Sequence, residues 1–140
     1  MSRFLLDTDI LSLLQDGHAT VLQRVNSHPV SDIAVATLTL QEQMQGWQAG
    51  LNRARKRQQI ALAHERLVVR LLPMWCRFAV LPFPQPAILR FEHLRSLRLN
   101  VGSMDLRIAA VGLENGLTVV TRNRRDFGRV SGLATEDWSV

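Results

Sequence analysis

The chain has 140 residues, 46% of them hydrophobic and 21% charged, with a net charge of +5. That length predicts a single domain spanning residues 1–140, and the composition excludes intrinsic disorder. The single cysteine, Cys76, excludes an internal disulfide and fits a reducing compartment.

Asp7 ends the first apolar stretch well short of a signal-peptide core. Pro73, Arg77 and Pro82 interrupt the most apolar region, residues 71–83, far below the ~18 residues of a membrane span. The expectation is a soluble, cytoplasmic protein that does not engage a membrane. Sixteen of the seventeen basic residues are arginine. Arginine matches phosphate with a planar, two-pronged donor, which favours a polyanionic partner, although a GC-rich genome produces the same bias.

Phe4–Leu6 reads as a short buried strand, Asp7-Thr8-Asp9 as a turn, and Ile10, Leu11, Leu13 and Leu14 as the start of a helix. A second helix carries Val21, Leu22 and Val25 and stops near Ser27-His28-Pro29. Ile33–Leu38 is a second buried strand, after which Thr39 opens a helix through Gln45 or beyond. Ile60, Ala63, Leu67 and Leu71 predict one helix over residues 52–72. Phe78–Leu81 reads as a strand, and residues 82–86, with three prolines, as a rigid connection. Ile88, Phe91 and Leu94 mark an amphipathic helix. Asn100–Ser103 is a turn, and Asp105–Leu113 a helix closed by Asn115-Gly116. Leu117–Val120 and Ala134–Trp138 complete the strands. Strands alternating with helices predict an α/β fold with a mostly parallel sheet covered on both faces.

In such sheets chemistry gathers beyond the carboxyl ends of the strands. Asp7 and Asp9 follow the first strand and Glu42 the second. Asp105 opens a helix before the fourth, and Asn123 and Asp126 follow that strand. Each acid has a structural alternative. Asp7 or Asp9 suits a helix N-cap, Thr39-Leu40-Gln41-Glu42 suits a capping box, and Asp105 suits a helix dipole. Together they predict a cluster that repels itself unless protonated or neutralised by a cation. Oxygen donors without a Cys or His pattern favour Mg²⁺ or Mn²⁺, which activates water for phosphodiester hydrolysis.

Setting aside Asp7, Glu42, Asp105 and Asp126 leaves 17 basic residues against eight acids. An acidic centre in a basic surround suits a nucleic acid. Arg53, Arg55, Lys56, Arg57, Arg122, Arg124, Arg125 and Arg129 are the candidate contacts, the alternative for each being a solvated face. His18, His28, His64 and His93 lack metal-ligand spacing and are expected at the surface. Cys76 is expected as a buried small hydrophobe.

Three segments, FLLDTDILSLL, VATLTLQEQMQGW and VGSMDLRIAAVGLENGLTVVTRNRRDFGRVSGLATEDW, resemble the VapC-type PIN-domain toxins, the ribonuclease halves of bacterial toxin–antitoxin pairs. The resemblance implies a PIN-like three-layer fold, with Asp7, Glu42, Asp105 and Asp126 as metal-holding catalytic acids. It implies supporting roles for Asp9, Thr121 and Asn123. It further implies structured RNA, such as transfer or ribosomal RNA, as substrate, a homodimer, and a cognate antitoxin seated in a groove near the site. Leu11, Leu14, Met44 and Trp47 are the candidates for that groove, with core packing as the alternative for the leucines. Two other functions stay open: a non-catalytic RNA- or protein-binding module on the same scaffold, and a DNA-directed nuclease.

Overall fold

A computed structural model describes residues 1–140. β1 (Phe4–Leu6) runs into α1 (Thr8–Gln15) and α2 (Ala19–Asn26), and a single 3₁₀ turn leads to β2 (Ile33–Ala36). α3 (Thr37–Arg53) and α4 (Arg57–Arg66) follow. A π-helical segment, Leu67–Leu71, joins α4 to the short α5 (Leu72–Trp75). Then come β3 (Ala79–Leu81), α6 (Gln85–Ser96), α7 (Ser103–Asn115), β4 (Thr118–Val120), α8 (Arg124–Phe127) and β5 (Thr135–Glu136).

The five strands are all parallel, in the order β3-β2-β1-β4-β5. This confirms the α/β class and the three-layer arrangement. Register follows from the two-residue alternation of strand side chains. Phe4, Leu6, Ile33, Val35 and Val120 point to one face, where they pack with Ile10, Leu11 and Leu14 of α1 and Val21 and Val25 of α2. Leu5, Ala34, Ala36 and Val119 point to the other, against Ala87, Phe91 and Leu94 of α6 and Leu106, Ile108 and Ala109 of α7. Both faces are covered, so the strands read as continuous apolar runs.

Gly112 sets the approach of α7 to the sheet: a Cβ there would lie 2.9 Å from Val119 Cγ2. Gly116 ends α7 with a left-handed φ of 64°, as the Asn115-Gly116 pair predicts. After β5, Trp138 is fully buried. Its indole stacks on His28 at 4.9 Å with an interplanar angle of 6°, and its Nε1 donates to Glu136 Oε2 at 2.7 Å.

Two expectations change here. α3 begins at Thr37, with Ala36 as its N-cap, so Thr39 lies inside the first turn and is fully buried. The expected 52–72 helix is two helices, because the Gln59 side chain accepts the backbone N–H groups of Arg55 at 2.9 Å and Lys56 at 3.1 Å. That side-chain bond ends one helix and starts the next without glycine or proline.

Candidate active site

Asp7 stands at the carboxyl end of β1, the central strand, where its own backbone N–H donates to Val120 O at 3.0 Å. It is also the N-cap of α1, with Oδ1 accepting from Ile10 N at 2.9 Å. The structural alternative for Asp7 is therefore real, and the Thr121 hydroxyl is a second hydrogen-bond partner of the same carboxylate. Glu42 arrives from the second turn of α3. The structural alternative for Glu42, a capping box, does not form, because Ala36 and not Thr39 is the N-cap. Instead the Thr8 hydroxyl donates to Glu42 Oε1 at 2.5 Å and Thr39 Oγ1 lies 3.3 Å from Thr8 Oγ1. Asp105 sits in the first turn of α7.

Asp7, Thr8, Asp9, Ser12, Glu42, Asp105, Arg122 and Asn123 line one open cleft of about 560 Å³. No apolar side chain is among them. Residues separated by more than one hundred positions thus meet beyond the carboxyl ends of β1, β2 and β4. Asp126 does not line the cleft. It lies behind Asn123, whose Nδ2 donates to Asp126 Oδ2 at 3.0 Å and Asp105 Oδ2 at 3.4 Å. Arg129 pairs with Asp126 at 3.3 Å. Thr121 is fully buried and accepts the Asn123 N–H at 2.9 Å, which fixes the turn that presents Asn123.

The electrostatics register this crowding. Burial pushes the Asp7 carboxyl up to about 6, the charges of Asp9 and Asp105 add to the rise, and the Thr121 hydroxyl and Ile10 N–H oppose it. Burial also raises Asp105, followed by the negative charge of Glu42, while the Asn123 amide opposes the rise. Two acids held above their ordinary range in one polar cleft make that cleft the candidate functional site.

The remaining candidates divide by location. Arg122 faces the cleft, with Nε 2.6 Å from Asp9 Oδ2 and Nη2 3.3 Å from Asp9 Oδ1. Arg124 and Arg125 are exposed on α8, and Arg55, Lys56 and Arg57 are exposed at the α3–α4 junction. Arg53 lines a second groove of about 580 Å³, which shares Thr8, Ser12 and Glu42 with the acid cleft and runs on between α1, α3 and α4. Trp47 lines it too, half-buried, with Nε1 donating to Ala63 O at 2.8 Å. Met44 is exposed.

Leu11 and Leu14 are core residues, 0% and 2% exposed, and line no groove, because α1 turns that face onto the sheet. Cys76 is exposed, not buried, because it lies past the end of α5 rather than on a packed face. His64 and His93 are exposed. His18 is half-buried and caps α2, and His28 is half-buried against Trp138.

The sequence reading overlooked Thr8 and Ser12 on the cleft wall. Their four-residue spacing on α1 places them on one helix face, a signal the acids overshadowed. It also overlooked a buried polar knot beside Glu42. Gln43 accepts from Trp75 Nε1 at 2.7 Å, exchanges hydrogen bonds with Gln15 at 2.7 and 3.0 Å, and donates to Ser12 Oγ at 3.2 Å.

With the geometry in view, the comparison with known proteins is direct. The PIN domain family matches residues 4–133. This chain belongs to the PIN-domain family. It is 31% identical to the tRNA(fMet)-specific endonuclease VapC of Shigella flexneri, over 99% of this chain and 100% of that protein. It is 33% identical to the plasmid stability protein StbB of Pseudomonas syringae pv. tomato, over 88% of this chain and 89% of that one. The DNA-bound VapBC structure from Salmonella typhimurium matches with a TM-score of 0.80 at 27% identity, covering 99% of both chains. The VapC-type resemblance carried by the three sequence segments therefore holds along the whole PIN-domain chain. No helix of this PIN-domain protein is long and apolar enough to cross a membrane.

Proposed function

We propose that this PIN-domain protein is a divalent-metal-dependent endoribonuclease acting on structured RNA, and the toxin half of a toxin–antitoxin pair working in the cytoplasm. One observation carries the reading: Asp7, Glu42 and Asp105 line a single polar cleft in an otherwise basic chain. The Shigella flexneri relative is named a transfer-RNA-specific endonuclease, which supports transfer RNA as the first substrate to try. The VapBC neighbour is a toxin–antitoxin complex of that family, which supports an antitoxin partner here. A homodimer remains part of the proposal.

The donor set fits a hard cation. The cleft's acidic donors are all carboxylate oxygens, joined by hydroxyls and one amide. No three acidic, histidine or cysteine side chains close on a common point. Mg²⁺ tolerates that, because it keeps several waters and needs only one or two direct carboxylates. Asp7 and Asp105 would hold Mg²⁺ or Mn²⁺, which supplies a polarised water and charge neutralisation at the phosphate when bound.

The chain's own groups have separable tasks. Asp7 caps the α1 backbone through Oδ1, is held by Thr121, and presents its charge to the cleft it lines. Glu42 Oε1 is held by Thr8, and Oε2, with no partner in the chain, is positioned to take a proton from the attacking water. Asn123 spaces Asp105 from Asp126 through one neutral amide, so Asp126 orients rather than binds. Arg53, Arg124 and Arg125 would contact the RNA backbone.

The test uses the purified full-length chain with a transfer RNA pool in Mg²⁺, Mn²⁺ or EDTA. Wild type is expected to cut only with metal, and Asp7→Asn and Asp105→Asn are expected to be inactive. Equal cleavage by Asp7→Asn would remove Asp7 from the mechanism. Salt-dependent RNA binding without cleavage at any metal concentration would favour a binding module. Cleavage of DNA alone would favour the DNA-directed nuclease.

A further inference from the structure

Arg122 is the single cation among the eight residues lining the acid cleft. Two of its nitrogens meet the two oxygens of Asp9, a fork-to-fork pairing between residues 113 positions apart. Arg124 and Arg125, two and three positions on, form no ion pair. The arginine that faces the cleft is thus the one that is tied.

Both partners are about half exposed, 51% and 49%, so water screens the pair and holds it weakly. A phosphodiester offers the same two-oxygen face as a carboxylate, and guanidinium binds either one bidentately. Asp9 sits at the rim, on the first turn of α1, and supplies the carboxylate that keeps Arg122 there.

We infer that Arg122 is a phosphate-binding subsite of the cleft, latched at the rim by Asp9 and released to a backbone phosphate next to the one being cut. Asp9 is then a positioning residue for a cation rather than a metal ligand. The inference rests on the nuclease reading for the word "cut", whereas the phosphate subsite can be measured without cleavage.

The experiment compares wild type, Arg122→Ala, Arg122→Lys, Asp9→Asn and the Asp9→Asn/Arg122→Ala double variant, all full length. Cleavage of the transfer RNA pool gives KM and kcat, and fluorescence anisotropy in EDTA gives binding against salt. Arg122→Ala is expected to raise KM about tenfold, the loss of one charge-assisted pair, with kcat nearly unchanged. Its salt slope should fall by about 0.7–0.9, one phosphate contact fewer. Arg122→Lys should keep the slope and recover part of the affinity, since it retains the charge without the fork.

Asp9→Asn should lower KM a few-fold in the wild-type background and not in the Arg122→Ala background. That coupling separates a latch from general charge removal, which would help both backgrounds equally. Equal effects of Asp9→Asn in the two backgrounds, or an unchanged slope in Arg122→Ala, overturn the inference. If wild type cuts nothing yet Arg122→Ala still loses the slope in EDTA, the subsite stands and the nuclease reading falls.

Discussion

The Thr8 hydroxyl donates to Glu42 Oε1 at 2.5 Å and so ties the first turn of α1 to α3 at the cleft wall. Thr8→Val removes the donor and keeps the shape. We predict about a tenfold fall in kcat with KM within about twofold, because the acid loses its orientation and substrate contacts are untouched. Thr8→Ser should restore most of the rate. Steady-state kinetics on the three proteins decide it, and a Thr8→Val enzyme with wild-type kcat would remove Thr8 from the site.

Asp7 carries a stability cost that depends on pH. Its folded-state value of about 6 lies above the ordinary 3.8. The folded chain therefore binds that proton more tightly than the unfolded chain. The resulting stabilisation is complete below about pH 4 and is lost as pH rises through 6. Asn caps a helix as well as Asp does, so Asp7→Asn keeps the bond to Ile10 N–H and discards the buried charge. Without metal at pH 7.5 the variant should be more stable by about 1–3 kcal/mol, and the gap should close near pH 4. Urea denaturation at both pH values checks this. A less stable variant at pH 7.5 would show that the carboxylate is not strained.

The same proton competes with a divalent ion. With Asp7 titrating near 6, Mn²⁺ affinity should be about tenfold weaker at pH 5 than at pH 7, with a proton released on binding at the lower pH. Calorimetry in two buffers of different ionisation enthalpy counts that proton. EDTA should lower the melting temperature of the Mn²⁺-loaded protein by only a few degrees, since metal stabilises the folded state by mass action while the core forms without it. Equal Mn²⁺ affinity at the two pH values would take Asp7 out of the ligand set.

Trp138 clasps the chain's end to the sheet. Trp138→Ala removes a fully buried indole, its stacking on His28 and a 2.7 Å hydrogen bond. We predict a loss of about 3–5 kcal/mol by chemical denaturation. The loss should reach the site, because β5 supports the backbone of Thr121 through a 2.8 Å bond from Thr121 N to Glu136 O. A loss below about 1 kcal/mol would mean the segment is dispensable.

Much of this was legible in the residues because burial on both faces writes parallel strands as apolar runs. Phe4–Leu6 and Ile33–Ala36 are such runs, and the acids at their ends follow from the fold class. What stayed hidden depends on tertiary partners. Thr39 looks like a cap in isolation, and its burial against α1 is what reassigns it. The α3–α4 break depends on a side-chain bond from Gln59 that no breaker residue announces. Leu11 and Leu14 could have faced a groove or the sheet, since helical spacing fixes a face but not which neighbour covers it. Arg122 reads as one basic residue among many until Asp9 is seen across from it.

Asp7 caps α1 through Oδ1 and, under the proposed reading, serves the chemistry through its charge. Aspartate and asparagine codons differ by a single base, and asparagine preserves the first role while erasing the second. Under the proposed reading, a lineage can disarm this gene in one mutational step and retain a well-folded protein. Such silenced copies would still occupy their binding partner, and would act as decoys rather than as lost genes.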